Sequence, residues 1–260
     1  MQQRIITAVI ALAILYVVLF QLPGDVTELI IAALLLAGAW EWSGFLGVKS
    51  AATRAAYVGL VAVAFVVAGF FIATHTQTVL LVGVVWWLAA FVWTFFFPTP
   101  IPHWFRWLAG MIVLVPLYLA LIVLYRADPM LLLFVLLIVW MADIGAYFAG
   151  RFFGRVKLAP AISPGKTWEG VIGGLLAVVA LTLVRSVWVE TNLAVMLPFC
   201  LAIASISIVG DLTVSMFKRT AGVKDSGMLF PGHGGVLDRI DSVAAAAPLF
   251  AFGLAWVGLS

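Results

Sequence analysis

Apolar runs long enough to cross a bilayer recur from one end of the chain to the other, and that repetition leaves few folds open. Nine can be marked, each about 18–21 residues: 5–22, 26–46, 55–73, 78–97, 107–125, 130–149, 170–188, 193–212 and 242–259. Inside hydrocarbon every backbone N–H and C=O must find a partner within the protein, which at these lengths means helices. The weak alternation of a membrane β-barrel is absent. Charged residues make up 10% of the chain, against about 25% in a soluble domain, so a water-soluble globule is excluded. The expected fold is all-α: a polytopic integral membrane protein with about nine transmembrane helices. Gln21, Leu22, Pro23 and Gly24 follow the first run and offer no small-residue cleavage site, so that run is read as a retained helix. Cys200, the one cysteine, lies in an apolar run; no intramolecular disulfide is possible and a buried packing role is expected.

The basic residues are distributed unevenly between the two ends of these runs. If the N-terminus is on side one, that side carries Arg4, Lys49, Arg54, Arg106, Arg151, Arg155, Lys157, Lys166, Lys218, Arg219, Lys224 and Arg239, and side two carries Arg126 and Arg185. Twelve against two predicts a cytoplasmic N-terminus and an external C-terminus. It also places every charged loop discussed below on the cytoplasmic face, where nucleotide triphosphates are found.

The charge is concentrated as well as one-sided. Of 25 charged residues (14 Lys+Arg and 11 Asp+Glu), seven fall in residues 215–241: Lys218, Arg219, Lys224, Asp225, Asp238, Arg239 and Asp241. Glycines stand among them, including Gly234 and Gly235, and permit close backbone approach to a ligand. Cations suit phosphate and carboxylates suit a divalent metal, so the stretch reads as a phosphate site. A solvated inter-helix loop is the plainer alternative. If helix continues past residue 212, Asp211, Ser215 and Lys218 share one face with Arg219 beside them. Asp238 and Asp241 share a face where the ninth run begins. Packing of the eighth and ninth helices would then bring Asp211, Asp238 and Asp241 together as hard oxygen ligands of the kind Mg²⁺ takes.

Two further blocks carry polar groups into the same end. Asp143, Tyr147 and Gly150/Arg151 recur at helical spacing on one face, and an ionised Asp facing lipid would cost about 2.5–3.5 kcal/mol, so this face belongs against other helices or a watery cavity. Residues 163–170, SPGKTWEG, contain Gly-Lys-Thr, but the first glycine of a phosphate-binding P-loop would fall at Pro160 and no strand precedes it. A tight loop opening the seventh helix fits better, with Lys166 and free N–H groups available to phosphate oxygens, and Ser163 and Thr167 beside them.

Three blocks together resemble the phosphatidate cytidylyltransferases (CDP-diacylglycerol synthases). They are W-x-x-D-x-x-A-Y-x-x-G-R at 140–151, S-P-x-K-T-x-E-G at 163–170, and the run from Ser215-x-x-Lys-Arg through Pro-Gly-His-Gly-Gly to Asp238-Arg-x-Asp241. The resemblance covers the C-terminal half best. It implies Mg²⁺-dependent transfer of CMP from CTP to phosphatidic acid with release of pyrophosphate, in a homodimer embedded in lipid in a bacterial-type inner membrane, with no role for nucleic acid. The expected catalytic set is Asp143, Lys166, Asp211, Lys218, Arg219, Lys224, Asp225, His233, Asp238, Arg239 and Asp241. The substrate-binding set is Ser163, Lys166, Thr167, Ser215, Lys218, Arg219, Lys224, Gly234, Gly235 and Arg239. Asp211 and Asp238 are the expected primary metal ligands, with Asp241 and Asp143 supporting them or binding a second cation. An already anionic phosphatidate oxygen needs no strong base, so His233 is read as a phosphate or loop hydrogen-bond donor ahead of a base or a metal ligand.

Residues 1–129, five runs, read as scaffold, and 130–260, four runs with loops 150–169 and 213–241, as the catalytic region. In the scaffold, Glu41 between Trp40 and Trp42 is an acid at membrane depth; the favoured reading is that it reaches interfacial water. Trp86, Trp87, Trp93, Trp104 and Trp107 read mostly as interfacial anchors. Two other activities stay open at this point: a CTP-using lipid or polyprenol kinase, and a cation-coupled transporter. The transporter is disfavoured because its acids would line a path near mid-membrane.

Overall fold

The structure, a computed structural model, describes residues 2–227 and 234–257. Among them are nine α-helices: α1 (Gln2–Phe20), α2 (Gly24–Trp42, continued by a 3₁₀ turn over Ser43–Leu46), α3 (Ala51–Phe70), α4 (Ile72–Thr94), α5 (His103–Ala127), α6 (Pro129–Phe153), α7 (Trp168–Arg185), α8 (Leu193–Thr220) and α9 (Leu237–Gly253). Each overlaps one of the nine apolar runs. Seven, α2 to α8, are long and apolar enough to cross a membrane. The chain is an all-α polytopic membrane protein.

Local chemistry sets several of the boundaries. Asp128 precedes Pro129 at the start of α6 and accepts a hydrogen bond from the Met130 N–H at 2.8 Å. Asn192 caps α8 by accepting from Ala194 N–H at 3.1 Å. At 28 residues α8 runs about 42 Å, well beyond the roughly 30 Å of a hydrocarbon core. That excess carries Lys218 and Arg219 clear of the apolar run from which the helix starts.

The ninth helix lies inside the bundle, against α4, α5, α6 and α8. Ala244, Ala245, Ala246 and Ala247 are all fully buried. Their small side chains let four neighbours crowd one slender helix. A helix surrounded by protein has no lipid to satisfy, which explains why α9 is shorter and less apolar than the others. By contrast α1 exposes Ile10, Leu12 and Ile14, as a helix facing lipid should.

Two expectations need correction. The segment between α6 and α7 is not a plain loop: β1 (Lys157–Ala159) and β2 (Ser163–Thr167) pair antiparallel, with Lys157 opposite Thr167 and Ala159 opposite Ser163. The tryptophans are not uniformly interfacial either. Trp104 is exposed, but Trp87 is fully buried in α4, and Trp93 packs edge-on to Phe217 while donating to the Thr99 hydroxyl at 2.7 Å. Aromatic residues fill the gaps between helices here, which composition cannot distinguish from anchoring. Cys200 is buried and unpaired, as expected.

Candidate active site

The site begins with two helix pairs whose backbones nearly touch. On α6 and α7, a Cβ at Gly145 would strike the Gly173 carbonyl, one at Gly173 would strike Ala149, and one at Gly174 would strike the Ala142 carbonyl. On α8 and α9, a Cβ at Gly210 would strike the Asp241 carbonyl oxygen. Such contact is open only to small residues. It sets the part of α6 that carries Asp143 against Gly173 and Gly174 of α7, and Asp211, next to Gly210, beside Asp241.

Asp143, Tyr147, Gly150 and Arg151 line one cavity of about 350 Å³, as their spacing on α6 predicts, and Lys166 and Thr167 close its other side. Arg151 donates to the Tyr147 hydroxyl at 2.7 Å. An adjoining groove of about 530 Å³ has no charged residue in its lining, which is mainly apolar (Phe91, Phe95, Trp168 and Leu212 among others) with the hydroxyl residues Thr94 and Ser205. Leu158, Val171, Leu175 and Ile208 belong to both walls, so the charged cavity and the uncharged groove are neighbours.

The hairpin aims Lys166 across the cavity to α8, where its ammonium lies 2.6 Å from Asp211 Oδ2. The Ser215 hydroxyl, one turn along α8, donates to Asp211 Oδ1 at 3.2 Å. Three residues further, the buried Lys218 places its ammonium 2.8 Å from Asp238 Oδ1 and 3.7 Å from Asp241 Oδ2. The other oxygens are held by backbone: Asp238 Oδ2 accepts from the N–H of Ser226 and of Gly235, both at 2.9 Å, and Asp241 Oδ1 from the Ser242 N–H at 2.8 Å. Gly234, at φ +81, has the Asp238 carboxylate where a side chain would stand, so this turn requires glycine twice over.

The three aspartates expected to converge as metal ligands are instead each set against a lysine: Asp211 pairs with Lys166, and Asp238 and Asp241 share Lys218. Among the described residues, no three acids, histidines or cysteines stand close enough to hold a metal as they are placed. The donor chemistry nonetheless suits a hard divalent cation, being carboxylate oxygen throughout. Asp241 Oδ2 is buried with its cation at 3.7 Å, beyond the about 2.7–2.9 Å of a charge-assisted hydrogen bond, and so retains capacity for a closer one.

The remaining expected residues sit as follows. The buried Thr167 hydroxyl caps α7, accepting from Gly170 N–H at 3.1 Å. Ser163 is half-buried in β2. Arg219 donates to the Ile162 carbonyl at 3.2 Å, tying α8 to the hairpin tip. Lys224, Asp225 and Arg239 are exposed at the same end. His233 lies outside the described residues.

One participant departs from its sequence reading. Glu41 does not reach interfacial water: it is 7% exposed, and its carboxylate accepts from Val236 N–H at 2.9 Å, Leu237 N–H at 2.8 Å and the Ser226 hydroxyl at 2.9 Å. The signal available was its isolation, since an acid at membrane depth marks a functional position by default. Its partners, 185 to 196 residues away, left no trace in local pattern.

A bundle of long apolar helices that gathers acids, ammonium groups and tight glycine turns at one end is an integral membrane protein with a charged site. The chain belongs to the cytidylyltransferase family, whose match runs over residues 2–257, and it is a nucleotidyltransferase. It is 45% identical to the phosphatidate cytidylyltransferase of Pseudomonas aeruginosa over 261 residues, covering 96% of each chain. It is 36% identical to that of Haemophilus influenzae, covering 97% of this chain and 98% of the relative. A segment of 124 residues is 50% identical to the phosphatidate cytidylyltransferase of Brucella suis, covering 47% and 46% of the two chains.

Proposed function

We propose that the protein transfers CMP from CTP to phosphatidic acid, producing CDP-diacylglycerol and pyrophosphate at the cytoplasmic face of a bacterial inner membrane. The observation that carries this reading is the juxtaposition just described. A cavity lined by the charged Asp143, Arg151 and Lys166 abuts a groove lined by no charged residue, with the Lys166–Asp211 pair and Lys218 with Asp238 and Asp241 alongside. A triphosphate needs the first environment and acyl chains need the second. The assembly is read as a homodimer on family resemblance alone.

In this reading a phosphatidate oxygen, already anionic at neutral pH, forms a new bond to the α-phosphorus of CTP. The bond from that phosphorus to the oxygen bridging to the β-phosphate breaks, and its electron pair leaves with pyrophosphate. Lys166 and Lys218 hold phosphate oxygens as charge shifts toward the leaving group, exchanging part of their contact with Asp211 and Asp238. Arg219, Lys224 and Arg239 supply positive charge at the mouth. Catalysis of this kind rests on positioning and electrostatic stabilisation. Asp211, Asp238 and Asp241 would hold Mg²⁺, which when bound supplies charge neutralisation to the triphosphate. Asp143 faces the cavity and orients substrate or supports a second cation.

The test is incubation of purified protein with CTP and dioleoyl phosphatidate, with Mg²⁺ and with EDTA, followed by product mass. CDP-dioleoylglycerol and pyrophosphate formed only with the metal are expected. Release of CDP with a diacylglycerol pyrophosphate, or with a phosphomonoester when a lipid alcohol replaces phosphatidate, would instead indicate a kinase, and full turnover in metal-free buffer would remove Mg²⁺ from the scheme.

A further inference from the structure

We infer that Glu41 is a positioning residue for the reaction: from α2 it fixes the first turn of α9, and through it the Asp238–Lys218 pair. The inference rests on the function proposed above.

The geometry is specific. Val236 and Leu237 are the cap and first residue of α9, so their N–H groups are among the four that a helix start leaves without internal partners. One carboxylate oxygen of Glu41 takes the first and the other takes the second. A negative charge at this position also complements the positive end of the helix. The second oxygen takes the Ser226 hydroxyl as well, so a single side chain grips two separate parts of the chain.

Both parts lead directly to Asp238. Ser226 uses its hydroxyl for Glu41 and its backbone N–H for Asp238 Oδ2, and Gly235, whose N–H reaches the same oxygen, immediately precedes Val236. Side chains at 227 or 235 would overlap the Glu41 carboxylate, so two glycines let the backbone close upon it. Glu41 and Asp238 thus hold the same two segments, at Ser226 and at residues 235–237, through different donors of each. Asp238 in turn holds Lys218. Removing Glu41 releases the frame around Asp238 without touching substrate.

Glutamine keeps the shape of Glu41 but has a single acceptor oxygen and an amide that donates, so it cannot receive all three bonds. For the Glu41→Gln protein in lipid nanodiscs, kcat with CTP and phosphatidate should fall by about 10- to 100-fold, the scale of a small misplacement of reacting groups. KM should move by less than roughly 3-fold, because positioning for the transition state is lost rather than ground-state binding. Combined with Asp238→Asn, the loss should be well short of the product of the single losses, since both act through one unit. Backbone amides of residues 235–237 should exchange with deuterium faster than in the parent protein. Ser226→Ala, which removes one of the three bonds, should shift exchange and kcat the same way by a few-fold and serves if the glutamine variant does not fold. Near-normal kcat with unchanged exchange would overturn the inference, as would losses that multiply with Asp238→Asn. If the parent protein itself makes no CDP-lipid, the proposed function fails, and the exchange of residues 235–237 alone then decides the role of Glu41.

Discussion

Lys218 holds its ammonium 2.8 Å from Asp238 Oδ1 across the α8–α9 boundary, and the two side chains are only 9% and 11% exposed. A buried pair is costly to break on one side, by about 3–5 kcal/mol, because the survivor is left charged without its partner. Lys218→Met should therefore lower both thermal stability and turnover, the latter by at least about 100-fold. Adding Asp238→Asn should recover much of the melting temperature and none of the activity. Recovery of both would assign the pair a purely structural role; thermal unfolding and a CDP-lipid assay on the same preparations check it.

The α6–α7 contact makes a prediction about stability alone. Gly173→Val would drive a branched side chain into Ala149, and overpacking of this kind costs about 1–3 kcal/mol or more. The variant should melt lower in detergent than the parent. Gly59, on α3, has nothing within 4 Å of the place a methyl group would occupy; Gly59→Ala should leave stability unchanged or raise it by up to about 1 kcal/mol.

Much of this arrangement was legible in residue spacing. The helix positions follow from hydrocarbon thickness, and the i, i+4, i+7 series Asp211, Ser215, Lys218 became one face once α8 proved continuous to Thr220. Asp143, Tyr147 and Arg151 reached a shared cavity for the same reason. What spacing could not show was anything joining distant segments. Lys166 pairs with Asp211, Lys218 divides itself between Asp238 and Asp241, and Glu41 serves α9, each through packing that brings separate helices together. The hairpin was hidden because its strands are three and five residues long, too short for alternation to register. The glycines of α6 and α7 were visible as letters, but their use as a helix-to-helix contact depends on which faces meet.

The twelve-to-two division of basic residues between the two sides predicts a cytoplasmic N-terminus. With nine spans, a reporter fused after Ser260 should be active outside the cytoplasm and one fused before the first helix inside it. Activity of the C-terminal fusion in the cytoplasm alone would reverse the orientation or change the number of spans.

The most direct measurement is turnover of the Asp211→Asn protein. Asp211 touches Lys166 on one oxygen and Ser215 on the other, and it follows Gly210, which packs tight against the Asp241 backbone of α9. Asparagine preserves the shape and removes the charge, and neutralising an acid near lipid lowers the insertion penalty, so the variant should enter the membrane and fold. Formation of CDP-diacylglycerol from CTP and phosphatidate should fall by at least about 100-fold. A folded Asp211→Asn protein with near-normal turnover would contradict the placement of the reaction at this cluster.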